Sequence, residues 1–234
     1  MELLKLIIKL IRYNIKVIFA NKFIYFLLAA LIFFIFIVTV SLFDNPDFNE
    51  DDIYYLLLFT GIILIFYPVI YGIQNDDDAK MLEVIFGIPN YRYKIWLFRF
   101  LIIILIAVFY LFLLASLANI TLYRIVVAEM LMQLLFPITF LSALGFMVST
   151  LIKNGNGTAI VMVIIGIIFL IFSEFIEDTS WNLFLNPFHI PNQMSANIWE
   201  NVIFKNRLYL SIGSVISLLF ALYNLQFREK FISS

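Results

Sequence analysis

The sequence predicts an all-α polytopic membrane protein with six transmembrane helices, and three observations carry that reading. Apolar residues make up 64% of the chain, mean hydropathy is +1.03, and the apolar runs are far too long for the elements of a soluble core. Lipid cannot satisfy backbone polar groups, so each run must close its own hydrogen bonds as a helix; the strict alternation of barrel strands is absent. The runs, finally, recur at about 20 residues, the length that a hydrocarbon layer of about 30 Å requires.

Taken in order, the expected spans are about 23–43, 53–73, 95–118, 125–151, 159–175 and 207–226. Residues 1–22 precede the first. Lys5, Lys9, Arg12 and Lys16 lie on one stripe of a helical projection and apolar residues cover the rest, the pattern of an amphipathic interface helix. The first apolar run after this basic region is span-length and no small-residue cleavage site follows, so the amino end is expected to stay attached. Twelve Lys and Arg residues fall on one side of six spans, against Arg124, Lys205 and Arg207 on the other. By the positive-inside rule both termini are expected in the cytoplasm.

Between the second and third spans runs NDDDAKMLEVIFGIPNYRYK, from Asn75 to Lys94. Asn75 or Asp76 suits a helix N-cap, Gly87 a left-handed C-terminal position, and Pro89 forbids continuation. A single short cytoplasmic helix within 75–88 is expected, with Met81, Leu82, Ile85 and Phe86 on an apolar side and Asp76, Asp77, Asp78 and Glu83 off it. So short a helix needs a surface to dock on. That surface is either its own bundle or a partner.

The segment 176–206 is broken by Pro187 and Pro191, yet it is rich in Trp, Leu and Phe. Short external re-entrant or interfacial helices are expected there, with their backbone satisfied by protein or by a water-filled cavity. KNGNGT, near residue 155, reads as a tight turn; it lacks the spacing and the lysine of a phosphate-binding loop.

Catalytic groups are scarce. Cysteine is absent, which removes thiol nucleophiles and thiolate metal sites. His189 is the only histidine, and neither HExxH nor GxSxG occurs, so no enzyme activity and no metal centre are expected. A net charge of -1 without a broad basic face argues against a nucleic-acid partner. Ser142, Gly145 and Ser149 in the fourth span, and Ser214 and Ser217 in the sixth, form small-residue stripes that serve helix packing or line a pathway. Glu129 and Glu174 lie near the external ends of their spans, where they either snorkel or face an outer vestibule.

At this point the chain resembles a known family, the ABC-2-type transporter permeases of bacteria. The resemblance rests on an amphipathic amino-terminal helix, six spans, external helices before the last span and a short cytoplasmic helix after the second. Its most specific stretch is MLEVIFGIPNYRYKIWLFRF, where Leu82, Glu83, Pro89, Arg92 and Lys94 match the family pattern; the triple Asp departs from it. The resemblance implies a permease subunit of an ATP-driven exporter in the inner (cytoplasmic) membrane. A second permease copy and two ATP-binding subunits would complete it, with lipid around the spans. ATP and Mg would bind the partner ATPase and no cofactor this chain. The 75–88 helix would be the coupling helix, seated in a cleft of the ATPase. Two other readings remain open on the residues: an ion-coupled carrier or channel, and a membrane scaffold that transports nothing.

Overall fold

The computed structural model describes residues 23–44 and 48–232. Among them every regular element is a helix, and six are long and apolar enough to cross a membrane. The expected interface helix at 1–22, with Lys5, Lys9, Arg12 and Lys16, lies outside the described residues.

The first span is α1 (Phe23–Asp44). The second is α2 (Glu50–Ile70), which bends at Tyr71 and continues as the short α3 (Gly72–Asp78). At the start of α2 the Asn49 backbone N–H donates to the Asp52 carboxylate at 3.1 Å, and Glu50, Asp51 and Asp52 occupy the first turn, where the helix macrodipole favours negative charge. Pro68 sits inside α2; lacking an N–H, it removes one ladder bond shortly before the bend. A second short helix, α4 (Leu82–Gly87), follows. The third span opens as a π-helical turn at Arg92–Leu97 and runs on as α5 (Phe98–Thr121). The fourth is α6 (Val127–Ile152), the fifth α7 (Gly155–Phe175), the sixth α8 (Ala196–Asn224), and α9 (Glu229–Ile232) ends the described chain.

The six spans alternate in direction, so one end of the bundle gathers α3, α4, the 153–155 turn and α9. We call this the tail face and the opposite end the loop face. Helix α6 is the hub, packing most extensively on α8 and then on α2. Close crossings need missing side chains: a Cβ on Gly61 of α2 would lie 2.6 Å from Ile138, and one on Gly213 of α8 would lie 2.7 Å from the Phe140 ring. Helix α7 is peripheral; only Gly155, Thr158 and Met162 of it are buried.

Four sequence expectations are corrected. The helix expected within 75–88 is two helices, because the second span continues to Asp78 and Lys80 takes a left-handed φ of 54° before α4 begins. Gly87 does not take the left-handed position; Asn90 does, at φ 58°. The sixth span starts not near 207 but at Ala196, since the polar residues that hide it in the sequence lie in a continuous helix. Residues 176–195 hold no helix. Instead Asn182 and Asn186 fold back on themselves, each accepting from the backbone N–H two residues on, Phe184 and Phe188. These side chains, together with backbone turn bonds such as Asn182 N–H to the Thr179 carbonyl, do part of what helices were expected to do for this backbone.

Candidate functional site

At the tail face α3 and α4 form an elbow whose position is fixed from three sides. Asp76 of α3 is buried, and its carboxylate pairs with the Arg99 guanidinium of α5 at 2.5 Å. Arg99 in turn lies over the Trp96 ring, 5.0 Å from its centroid. The pair ties the end of the second span to the start of the third. A surface ion pair contributes little, but here both side chains are shielded from water, so loss of either partner would strand a charge.

The second hold is the turn into α7. Lys153 takes the left-handed conformation, φ 64°, at the tight turn expected from KNGNGT. Asn154 caps α7, accepting from Gly157 N–H at 2.9 Å. Gly155 donates its backbone N–H to the Gln74 side chain at 2.5 Å, and a Cβ there would collide with Tyr71 and Gln74. Glycine is required for this close approach, not for its backbone freedom. Tyr71 Oη bonds Asn156 Oδ1 at 3.0 Å.

The third hold is the carboxyl-terminal segment. Tyr91 donates its hydroxyl to the Leu225 carbonyl at 2.6 Å. Arg92 reaches the Gln226 side chain at 3.1 Å. Arg228 lies over the Tyr91 ring, and Phe231 of α9 packs on Phe86 of α4, with ring centroids 5.8 Å apart. Lys153 lies over the other partner, the Phe231 ring, at 5.4 Å.

The predicted docking residues therefore divide. Leu82, Ile85 and Phe86 are buried against their own chain, and so is Asp76. Met81 is half-buried, while Asp77, Asp78, Lys80, Glu83 and Val84 are exposed, Val84 by 60%. The outward face of the elbow thus carries three carboxylates and one cation, Lys80, around one apolar side chain, and is net acidic.

The other predicted residues lie elsewhere. Ser142, Gly145 and Ser149 of α6 and Ser214 and Ser217 of α8 are all buried. Ser142 and Ser214 return their hydroxyls to carbonyls one turn back, Ile138 and Leu210, while Ser149 reaches across to Ile70 of α2 at 3.2 Å. Glu129 and Glu174 are exposed near the loop-face ends of α6 and α7. Among the described residues no cluster of three metal-ligating side chains occurs. His189 lies 2.9 Å from Asp51 on the loop face, in an exposed position.

Sequence reasoning missed Arg207. The sequence reading places it at the very start of the sixth span, yet it lies well inside α8 and is 6% exposed. Its partners are uncharged: Gln133 Oε1 and Asn206 Oδ1, each at 2.8 Å, and Tyr54 Oη and the Leu185 carbonyl, each at 3.4 Å. The adjacent Asn206 donates to the carbonyls of Ser180 and Asn182. Together they pin the 176–195 segment onto the bundle. The one signal in the sequence was a dipeptide of two multivalent polar residues, Asn206 and Arg207, beside a long apolar run.

No protein-family model, no curated protein and no solved structure matches this chain.

Proposed function

We propose that this protein is the permease subunit of an ATP-driven ABC exporter in a bacterial inner membrane. In this reading the tail face is cytoplasmic, and the chain pairs with a second permease copy and two ATP-binding subunits. The observation that carries the proposal is the elbow: two short helices, fixed to the second, third and fifth spans and to the carboxyl-terminal segment, that present an acidic outer face. A force applied to such an element reaches several spans at once. Among the described residues no carboxylate sits in the middle of a span, where an ion-coupled carrier normally keeps its site, and the buried cation inside α8, Arg207, is held by neutral hydrogen-bond partners; this favours energy supplied by a partner.

The docking contact is assigned to Asp77, Asp78, Glu83 and Val84, with Met81 at its margin. Leu82, Ile85 and Phe86 serve by seating the elbow on the bundle, and Asp76 by anchoring it to Arg99. The cleft that receives the elbow should be lined with Lys or Arg around an apolar floor. ATP and Mg belong to that partner. A lipidic or amphipathic substrate is consistent with the apolar, Phe-rich spans.

The test is one set of four substitutions on the outward face. Asp77→Lys, Asp78→Lys and Glu83→Lys, with Val84→Asp, should leave the protein folded in the membrane while abolishing co-purification of the ATP-binding subunit and substrate export. Unchanged recovery of the ATPase with all four substitutions in place would refute the docking assignment. Purified protein that moves solute under an ion gradient, without any ATPase, would refute the permease reading itself.

A further inference from the structure

A groove of about 280 Å³ opens on the side of the bundle between α2, α6 and α7. It exists because α7 is held to α2 only near its beginning. There Gly155 meets Tyr71 and Gln74, and Ile70, Val148 and Met162 close into a small cluster. Beyond that point the two helices separate. At its other end the groove is roofed by Phe184, brought in by the folded 176–195 segment and stacked on Phe59 of α2 at 6.0 Å. Between the ends it opens laterally, past half-buried Phe66 and exposed Val163 and Ile167. No charged or hydrogen-bonding side chain lines it.

We propose that this groove is a binding site for one hydrocarbon chain of a membrane lipid. Its dimensions select the occupant. From Phe59 to Ile70, α2 advances roughly 16 Å at 1.5 Å per residue, about half of a 30 Å hydrocarbon layer and hence the depth of a single leaflet. A groove of about 280 Å³ drawn out over that length suits a slender methylene chain with carbon contacts near 4 Å. A helix with side chains is about 10–12 Å across and over the same length would fill more than ~1,000 Å³, several times the volume of the groove.

Chemistry agrees with size. Lipid tails are as apolar as the groove walls, so no hydrophobic force draws a chain in; retention comes from dispersion contacts on the aromatic and aliphatic walls. Gly145 lets α6 approach α2 closely at the groove wall, since a Cβ there would lie 3.0 Å from Val69. Gly166 widens it, since a Cβ there would meet nothing within 4 Å. The inference rests only on the chain lying in a bilayer and is independent of the exporter reading.

The experiment uses the full chain reconstituted in phosphatidylcholine vesicles that carry a diazirine near the end of one acyl chain. After photolysis, labelled peptides are mapped by mass spectrometry. The exposed α5 residues Leu105 and Phe109 report ordinary contact with bulk lipid. Labelling of Phe59–Ile70 and Met162–Leu170 should exceed that of the α5 peptide severalfold. In Gly166→Phe, and in the smaller Gly166→Leu should the first variant fail to fold, the excess should fall to the α5 level. Labelling no greater than at α5, or an excess unchanged by filling the groove, would overturn the proposal. Disulfide-linked dimers of Ile167→Cys together with an unlabelled groove would overturn it too, and would place a second copy there.

Discussion

Asp76 is one of three consecutive aspartates, and only its surroundings distinguish it. The sequence offered the run as a uniform acidic patch, because nothing local marks which carboxylate turns inward toward an arginine 23 positions away. The consequence is measurable. Asp76→Asn strands the Arg99 charge in a dry site and should lower stability by about 3–5 kcal/mol, read as a fall in the thermal unfolding midpoint of detergent-purified protein. Adding Arg99→Met should restore most of that loss, since an apolar pair leaves no uncompensated charge. Asp77→Asn and Asp78→Asn, both at exposed positions, should not move the midpoint. Arg207 makes the complementary case, a buried cation whose hydrogen bonds go to neutral groups. Lysine cannot reach four partners with one ammonium, so Arg207→Lys should cost about 1–3 kcal/mol. It should also speed hydrogen exchange across Trp181–Asn186, the segment that Arg207 and Asn206 hold.

Among elements, the turn before α7 determines where the fifth span sits. Asn154→Ala removes the cap and should cost about 1 kcal/mol. Gly155→Ala forces Tyr71 and Gln74 aside and should cost about 1–3 kcal/mol. Both variants should release α7 from the elbow, detected as faster proteolysis near Lys153. The first five spans were legible from apolar length because the lipid-facing side of each helix contributes to hydropathy whatever its neighbours; the start of the sixth was hidden by its polar residues. The elbow was half legible. Its apolar and acidic positions could be read, but a break at Lys80 and a left-handed Asn90 depend on how the second span ends, which tertiary contacts decide. The segment 176–195 was illegible for a different reason: its buried aromatic residues suggested helices, while Asn182 and Asn186 satisfy its backbone through side-chain bonds that have no helical period. The eight docking positions expected from sequence divide by burial: Asp76, Leu82, Ile85 and Phe86 turn inward, Met81 is half-buried, and Asp77, Asp78 and Glu83 face outward.

For the molecule as a whole, the distribution of Lys and Arg is the argument for orientation, and the absence of cysteine gives a clean background for testing it. Asp178→Cys, at the loop face, should react with a membrane-impermeant maleimide in intact cells. Asp78→Cys, at the tail face, should react only after the membrane is opened. The reverse pattern would invert the topology and place the elbow outside, away from any ATPase.

The carboxyl-terminal hold on the elbow also bears on biosynthesis. Tyr91 waits for the carbonyl of Leu225, 134 residues further on, and Phe86 for the ring of Phe231. Until the sixth span is inserted, neither contact can form. A chain stalled with four or five spans in the membrane would carry the acidic residues of the elbow but not their final pose. A partner that recognises the finished elbow would therefore distinguish complete bundles from partial ones, making assembly its own inspection step.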